Sequence, residues 1–475
     1  MKVFLPGVAV HSWLKCVSIL LLSTAIAGCG GDQPTDPTWS AAQSLDAGSV
    51  GEPKAVATRS GRVYVAWGRS SLFIDPPYVA PGLPTTVRLF NPSAGWQPSV
   101  QIGPASPAKG DSSHQIAANE AGTVVVAWTE YDFVAGTPRV MVNRFSPSTG
   151  WSGAMPIDPD YSSIEPRVVL DAAGTTTVAW ARLTTTDTAL MSASSSGDTS
   201  AWSAATKHTG GLRHHELAMG ASERPMLVFT GKNASGMLVT SATRRLSSGG
   251  WSAPEDLSTP TADQTWTCST DPCPYAGDAS LQLAANGSGV LTATWESLDV
   301  STFTIRVWTR IYTSSEGWAP ATSIAEEYFF TTAYAQPSAI IDGTGNVLVL
   351  WRSVGNSNGA AGQLKMRRHL VGPGWQPTTT ESRFAGRLKY SDIAVAPTPD
   401  GGFFLAWNET SPLVAHWSSA SGWGDFHVLG SNNNTQTSTD GKVSIATDSA
   451  GAATATWLHV GADGKSGTVF VSRFE

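Results

Sequence analysis

Short apolar runs that end in tryptophan punctuate the chain at even intervals. Val63–Trp67, Val124–Trp128, Leu291–Trp295, Val347–Trp351 and Phe403–Trp407 are the clearest. Trp180 and Trp457 close two more, and Phe229 stands at the matching place in the run that starts at Pro225. Each run is shorter than a helix requires, rich in β-branched and aromatic residues, and in most cases entered from a glycine turn, the signature of a strand. The runs are apolar almost throughout instead of alternating, so both faces of these strands are expected to be buried between neighbouring sheets. A second series interleaves with the first: Trp39, Trp96, Trp151, Trp202, Trp251, Trp318, Trp375 and Trp423 sit in small-residue turns ahead of polar stretches. Fifteen of the nineteen tryptophans belong to these two series, whose period of about 55 residues is the length of four short strands with their turns.

The pattern predicts an all-β chain folded as a β-propeller of four-stranded blades. One unit carries all four elements: a first strand at His114–Ala118, a turn through Gly122, a second strand at Thr123–Trp128, a third at Arg139–Phe145 and the start of a fourth at Gly150-Trp151. The repeats begin with an isolated fourth strand at Trp39–Leu45 and end after a third strand at Thr468–Phe474. The N-terminal strand is therefore expected to complete the last blade and close the ring, which removes exposed sheet edges. The expected count is eight blades. It falls to seven if the unit around Ser222-Glu223-Arg224-Pro225, which lacks the glycine and the tryptophan, does not form one. The repeat tryptophans are expected to be structural, whereas Trp266, Trp308 and Trp417 lie outside both series and are freer to meet a ligand.

The N-terminus changes the picture of where this ring resides. Residues 1–28 hold Lys2 and Lys15, an apolar run from Val17 to Ala27 and no acidic side chain, which reads as a secretory signal. Its end, Ile26-Ala27-Gly28-Cys29, resembles the lipobox of bacterial lipoproteins, and the resemblance implies that Cys29 is acylated and anchors the chain to a membrane. Residues 29–38 would then be a tether and 39–475 the propeller. Gly30 and Gly31 follow the cysteine where an acidic residue would resemble an inner-membrane retention signal, so the outer membrane is favoured. In that oxidising compartment Cys268 and Cys273 are expected to form a disulfide across a small loop. Without Lys2 and Lys15, 28 basic residues remain against 37 acidic ones, a balance that excludes nucleic acid as a partner.

Connections between strands are unequal. The turns between first and second strands are tight, as at Asp171–Gly174, and the long insertions fall at Gly68–Pro84, Thr129–Pro138, Thr259–Asp278 and Ser353–Gly362. In a propeller these open on one face, the mouth of the central channel, where a rigid scaffold carries its binding loops. Counting back thirteen and fifteen residues from each second-strand tryptophan finds the residues the first strands present there. They include Lys54 and Glu52, Gln115 and Ser113, Arg167 and Glu165, Glu216 and His214, Gln282 and Ser280, Ser338 and Gln336, and Ser444 and Lys442, with Asp392 from the seventh unit. The candidate binding groups are thus Glu52, Lys54, Glu165, Arg167, His214, Glu216, Asp392 and Lys442, with Trp266 and Tyr275 as candidate aromatic walls.

Chemistry is harder to find. The sequence has no Gly-x-Ser-x-Gly elbow, no His-Glu-x-x-His, no phosphate-binding loop and no dinucleotide fingerprint, so no catalytic residue, cofactor or nucleotide is expected. His214 and His215 are adjacent and face opposite ways on a strand, which argues against a shared metal, and Asp158-Pro159-Asp160 is the one loop with a calcium-like look. The repeat, as in Asp171-Ala172-Ala173-Gly174-Thr175-Thr176-Thr177-Val178-Ala179-Trp180 followed by Gly-Trp-Ser, resembles that of bacterial exported lipoproteins with propeller repeats. More distantly it is similar to the Asp-box of sialidase-type propellers. It departs from that box because Trp457 comes nine residues after Asp448, and no arginine triad matches, so no catalytic position carries over. The resulting expectation is a binding or assembly module for a protein or an envelope glycan. The alternative is a carbohydrate-active hydrolase or lyase using two mouth carboxylates drawn from Glu52, Glu165, Glu216, Glu130, Asp132 and Glu296.

Overall fold

The protein is described from a computed structural model covering residues 38–47, 51–68, 84–104, 109–197, 201–261, 277–299, 301–302, 304–328, 337–353, 362–388, 393–409, 411–430, 443–460 and 467–475. The described chain is all-β, built from antiparallel meanders. In the first, Lys54–Ala57, Val63–Trp67 and Thr86–Asn91 pair in chain order, and Gly95-Trp96 and Val100-Gln101 flank the outer strand. The same arrangement recurs from Lys109, Gly277, Ser338 and Ile393. Between Ser162 and Asp256 two meanders are fused, because the long strand Thr206–Met219 pairs first with Thr188–Ser195 and then with Pro225–Lys232. The unit without its tryptophan therefore does form a sheet. Gln43–Ala47 pairs with Gly467–Phe474, and Trp39 bridges Phe474, so the N-terminal strand completes the C-terminal sheet as expected.

The innermost strands pack side by side in a cycle. Lys54–Ala57 lies against Lys109–Ala118, that strand against Ser162–Leu170, and so on through Thr206–Met219, Gly277–Ala285, Ser338–Ile341, Ile393–Pro397 and Ser444–Thr447, which returns to Lys54–Ala57. The second-strand runs form the core. Trp67, Trp128, Trp180, Trp295, Trp351 and Trp407 are fully buried, each in an apolar layer between adjacent sheets; Trp128, for example, packs with Tyr64 and Val87 of the preceding sheet. Burial on this scale, at roughly 25 cal/mol per Å² of apolar surface, is what holds the sheets face to face. The other tryptophan series is half-buried on the outer edges, where Trp96, Trp151 and Trp318 meet Phe90, Phe145 and Tyr312 at ring separations of 5.3–5.5 Å.

Two expectations about aromatic residues fail. Trp308 is half-buried against the core and its indole N–H donates to Ser297 Oγ at 2.8 Å, and Trp417 is buried against Phe403, so both serve packing instead of standing free. Both lie on third strands, whose inward positions the tryptophan period did not mark. The insertion at Thr129–Pro138 is also not a loose loop: the ladder runs on through Glu130↔Arg139 to Asp132↔Thr137, and Asp132 Oδ1 accepts the N–H groups of Val134 and Ala135 at 2.9 Å.

Candidate functional site

The first strands line a central cavity of about 280 Å³ that gathers Lys54, Gln282, Ser338 and Ser444 with the apolar residues of the Ile393 and Ser444 strands. Four residues picked by counting back thirteen positions are therefore brought together. Ser444 Oγ accepts the N–H of Ala55, tying two neighbouring first strands across the cavity wall.

Across the ring, the first strands of two other sheets carry the densest polar cluster. Arg167 Nε donates to Glu216 Oε2 and its Nη2 to Oε1, both at 3.0 Å, a bidentate pair between adjacent sheets. The third guanidinium nitrogen donates to the Pro166 carbonyl at 3.2 Å. Burial works against the charge on Arg167, but Glu216 and then Glu165 outweigh it and hold the guanidinium above its ordinary pKa. Glu165 and His214 are exposed beside this pair. Burial lowers the His214 pKa, opposed by the charges of Glu165 and Glu216. His215 faces the other way and is buried, and desolvation followed by the Arg167 charge pushes its pKa down to about 3, so it is a neutral packing residue.

Glu165 reaches the surface through a β-bulge. Between Ile164 and Arg167 the strand carries one residue more than its partner, and Glu165 sits in the left-handed region at φ 54°. Its N–H donates to Thr129 Oγ1 of the preceding sheet at 3.2 Å, which fixes the bulge from outside. The bulge repeats at the same register in two further units, with Ser113 at φ 54° and Ser280 at φ 48°. A non-glycine residue in that region costs about 1–2 kcal/mol and is kept only when its surroundings impose it. Beyond the bulge the side-chain parity reverses, so Asp111 and Ser163 are buried between sheets and do not face the channel. Asp111 Oδ2 accepts the N–H and the hydroxyl of Thr85, at 3.0 and 2.6 Å, and Thr85 Oγ1 lies 3.2 Å from His114 Nε2. His114, buried and near Lys54, has its pKa pushed down to about 3, chiefly by desolvation.

Counting along the sequence missed this network and a second one at the mouth. The Asp158 carboxylate is engaged by two neighbouring side chains: its Oδ2 accepts the Trp180 indole N–H at 2.8 Å and the Arg182 Nε at 2.7 Å, and its Oδ1 accepts Arg182 Nη2 at 2.9 Å. Asp46 serves Trp67 in the same way at 3.1 Å, so an acidic residue ahead of the first strand was the available signal. The Arg182 guanidinium lies over the ring of Tyr161 at 4.0 Å. Among the other candidates, Glu52 is half-buried, and Glu130 and Glu296 are buried just past their tryptophans. Asp392, Lys442, Trp266, Tyr275, Cys29, Cys268 and Cys273 lie outside the described residues.

No family model matches the sequence, and no curated protein matches it. Among solved structures the chain is similar to the polysaccharide lyase Uly1, at 10% identity and a TM-score of 0.44 over 89% of each chain. It is also similar to the β-propeller domain of the trilobed protease from Pyrococcus furiosus, at 10% identity and a TM-score of 0.40 over 76% of this chain and 92% of that one. A third likeness is to the Hadza microbial sialidase Hz136, at 15% identity and a TM-score of 0.38 over 64% of each chain. This chain thus spans less than two thirds of that sialidase.

Proposed function

We propose that the protein is an eight-bladed propeller, exported and lipid-anchored through Cys29, that binds an envelope glycan or a protein at the channel mouth. The observation that carries the binding role is the occupancy of Glu216. Both of its oxygens accept from Arg167, which leaves neither positioned to pass a proton to a glycosidic oxygen, whereas a fixed ion pair beside the exposed Glu165 and His214 is a rigid polar frame for a ligand. The eight first strands that pack in a cycle support the blade count. The residue content of 1–29 supports the anchor, and with it an oxidising compartment for a Cys268–Cys273 disulfide.

The test is an array of glycans and envelope polymers read for both binding and product release. Binding without turnover is expected; Glu165→Gln, which keeps an oxygen acceptor, should change affinity less than about threefold, and Glu216→Gln, which loosens the Arg167 frame, should weaken it about tenfold. Product release that disappears in both variants would replace this reading with the carbohydrate-active enzyme.

A further inference from the structure

Tyr161 immediately precedes the Ser162–Leu170 strand that carries Glu165 and Arg167. It is 48% exposed, the one large exposed aromatic side chain among the described residues. One face of its ring is covered by the Arg182 guanidinium at 4.0 Å, so its exposed area belongs to the opposite face and the edge. Arg182 is itself held by the bidentate contact to Asp158, whose second role is to accept from the buried Trp180. The ring is thus fixed from behind by a chain of contacts that ends in the core. Such an arrangement keeps an aromatic plane presented to solvent without the ordering cost that a mobile side chain would incur on binding.

Charge narrows what this plane can receive. Of the guanidinium groups of this sector, Arg167 and Arg182 each have Nε and Nη2 committed to a carboxylate, and Arg213, whose charge acts on His214, is half-buried. An anionic ligand would have to compete with a carboxylate already in place for Arg167 or Arg182. Glu165 remains exposed, a carboxylate that accepts hydrogen bonds from hydroxyl groups and repels acids. A fixed aromatic face with hydroxyl acceptors along the same strand fits a neutral sugar, whose C–H face packs on the ring while its edge hydroxyls donate. Tyr161 and Glu165 are four residues apart along the chain, at most about 13 Å, a span that can exceed one sugar ring.

Building on the mouth-binding reading, we propose that Tyr161 is the stacking platform of a subsite for neutral oligosaccharides, and that the site discriminates against acidic ones. Calorimetric titration with chitohexaose, cellohexaose and hexagalacturonate tests it on the whole protein and on the variants Tyr161→Ala, Tyr161→Phe and Glu165→Arg. A neutral hexamer should bind and the galacturonate should not. Tyr161→Ala should weaken neutral binding about tenfold, and Tyr161→Phe should stay within about twofold of the parent, because the ring and not the hydroxyl provides the contact. Neutral binding that survives Tyr161→Ala but is lost in Glu165→Arg would overturn the platform and leave the mouth reading standing. Survival in both variants would overturn the two together. Preferential binding of the galacturonate, or binding of neither neutral hexamer, would overturn the assignment of ligand class.

Discussion

Asp158 joins a core tryptophan to a surface arginine, and removing it should expose how much of the ring's stability runs through one carboxylate. Asp158→Ala leaves the indole N–H of fully buried Trp180 without its acceptor, a loss of about 1–3 kcal/mol. It also breaks a largely buried ion pair, for which about 3–5 kcal/mol is usual when one partner is removed. The Arg182 side chain is 18% exposed and can turn part of its charge to water, so the lower end applies and the two effects together come to about 4 kcal/mol. The folded unit runs from Thr38 to Glu475. At about 2.1 cal/mol/K per residue its unfolding entropy is roughly 0.9 kcal/mol/K, which turns that cost into a Tm lowered by about 4 °C. Asp158→Asn keeps an oxygen for Trp180 and loses only the charge, so about half the effect is expected. Thermal unfolding of both variants gives the Tm shifts, and urea unfolding with Arg182→Ala and the double variant closes the cycle and measures the coupling. A fall below about 1 °C in Asp158→Ala, or equal losses in the Ala and Asn variants, would refute the claim that Trp180 depends on this acceptor.

The remaining expectations concern protons, strain and closure. His114 and His215 titrate near 3 in the folded protein and near 6.5 when unfolded. Between those values the unfolded chain binds more protons, so stability should fall with decreasing pH by up to about 1.4 kcal/mol per unit for each histidine. His215→Gln should flatten the pH dependence of the urea midpoint below pH 6, and an unchanged slope would count against a buried neutral His215. Ser280→Gly should stabilise the fold by about 1 kcal/mol by relieving a residue at φ 48°, with ligand binding intact; a loss of stability would mean the hydroxyl matters more than the strain. Leu45 is buried among Val63, Trp67, Val469 and Val471 where the N-terminal strand meets the last sheet. Leu45→Ala should cost about 2–4 kcal/mol in urea unfolding, and a cost near zero would show that the N-terminal strand does not contribute to ring closure.

Much of the architecture was legible because it depends on one repeated demand. A strand buried on both faces must be apolar throughout, so Val124–Trp128 and Phe403–Trp407 announce themselves, and their period sets the sheets. The unit with Phe229 folds like the rest because Leu227, Val228 and Phe229 still fill the space between sheets, while Ser222 and Glu223, both at φ 55°, take the turn that glycine makes elsewhere. The candidate site was legible only in part. Counting back thirteen residues placed Lys54, Gln282, Ser338 and Ser444 in one cavity, since each lies in a stretch of first strand paired in regular register with the second. Sequence periodicity gives no sign of an inserted residue, so Asp111 and Ser163 could not be assigned to the buried side.

That insertion also explains why the mouth differs from unit to unit on a repeating frame. The bulge presents whatever residue occupies its left-handed position, and the same backbone offers a hydroxyl at Ser113 and Ser280 but a carboxylate at Glu165. In that third unit the neighbouring sheet supplies a partner, Glu216, for the arginine two residues further on. The Trp180 of that unit also has an acidic acceptor, Asp158, that holds Arg182 under Tyr161. Repetition therefore accounts for the frame, and single substitutions within one sector account for its chemistry. What distinguishes Glu165, Arg167 and Tyr161 is their departure from the other units, which a repeat consensus averages away.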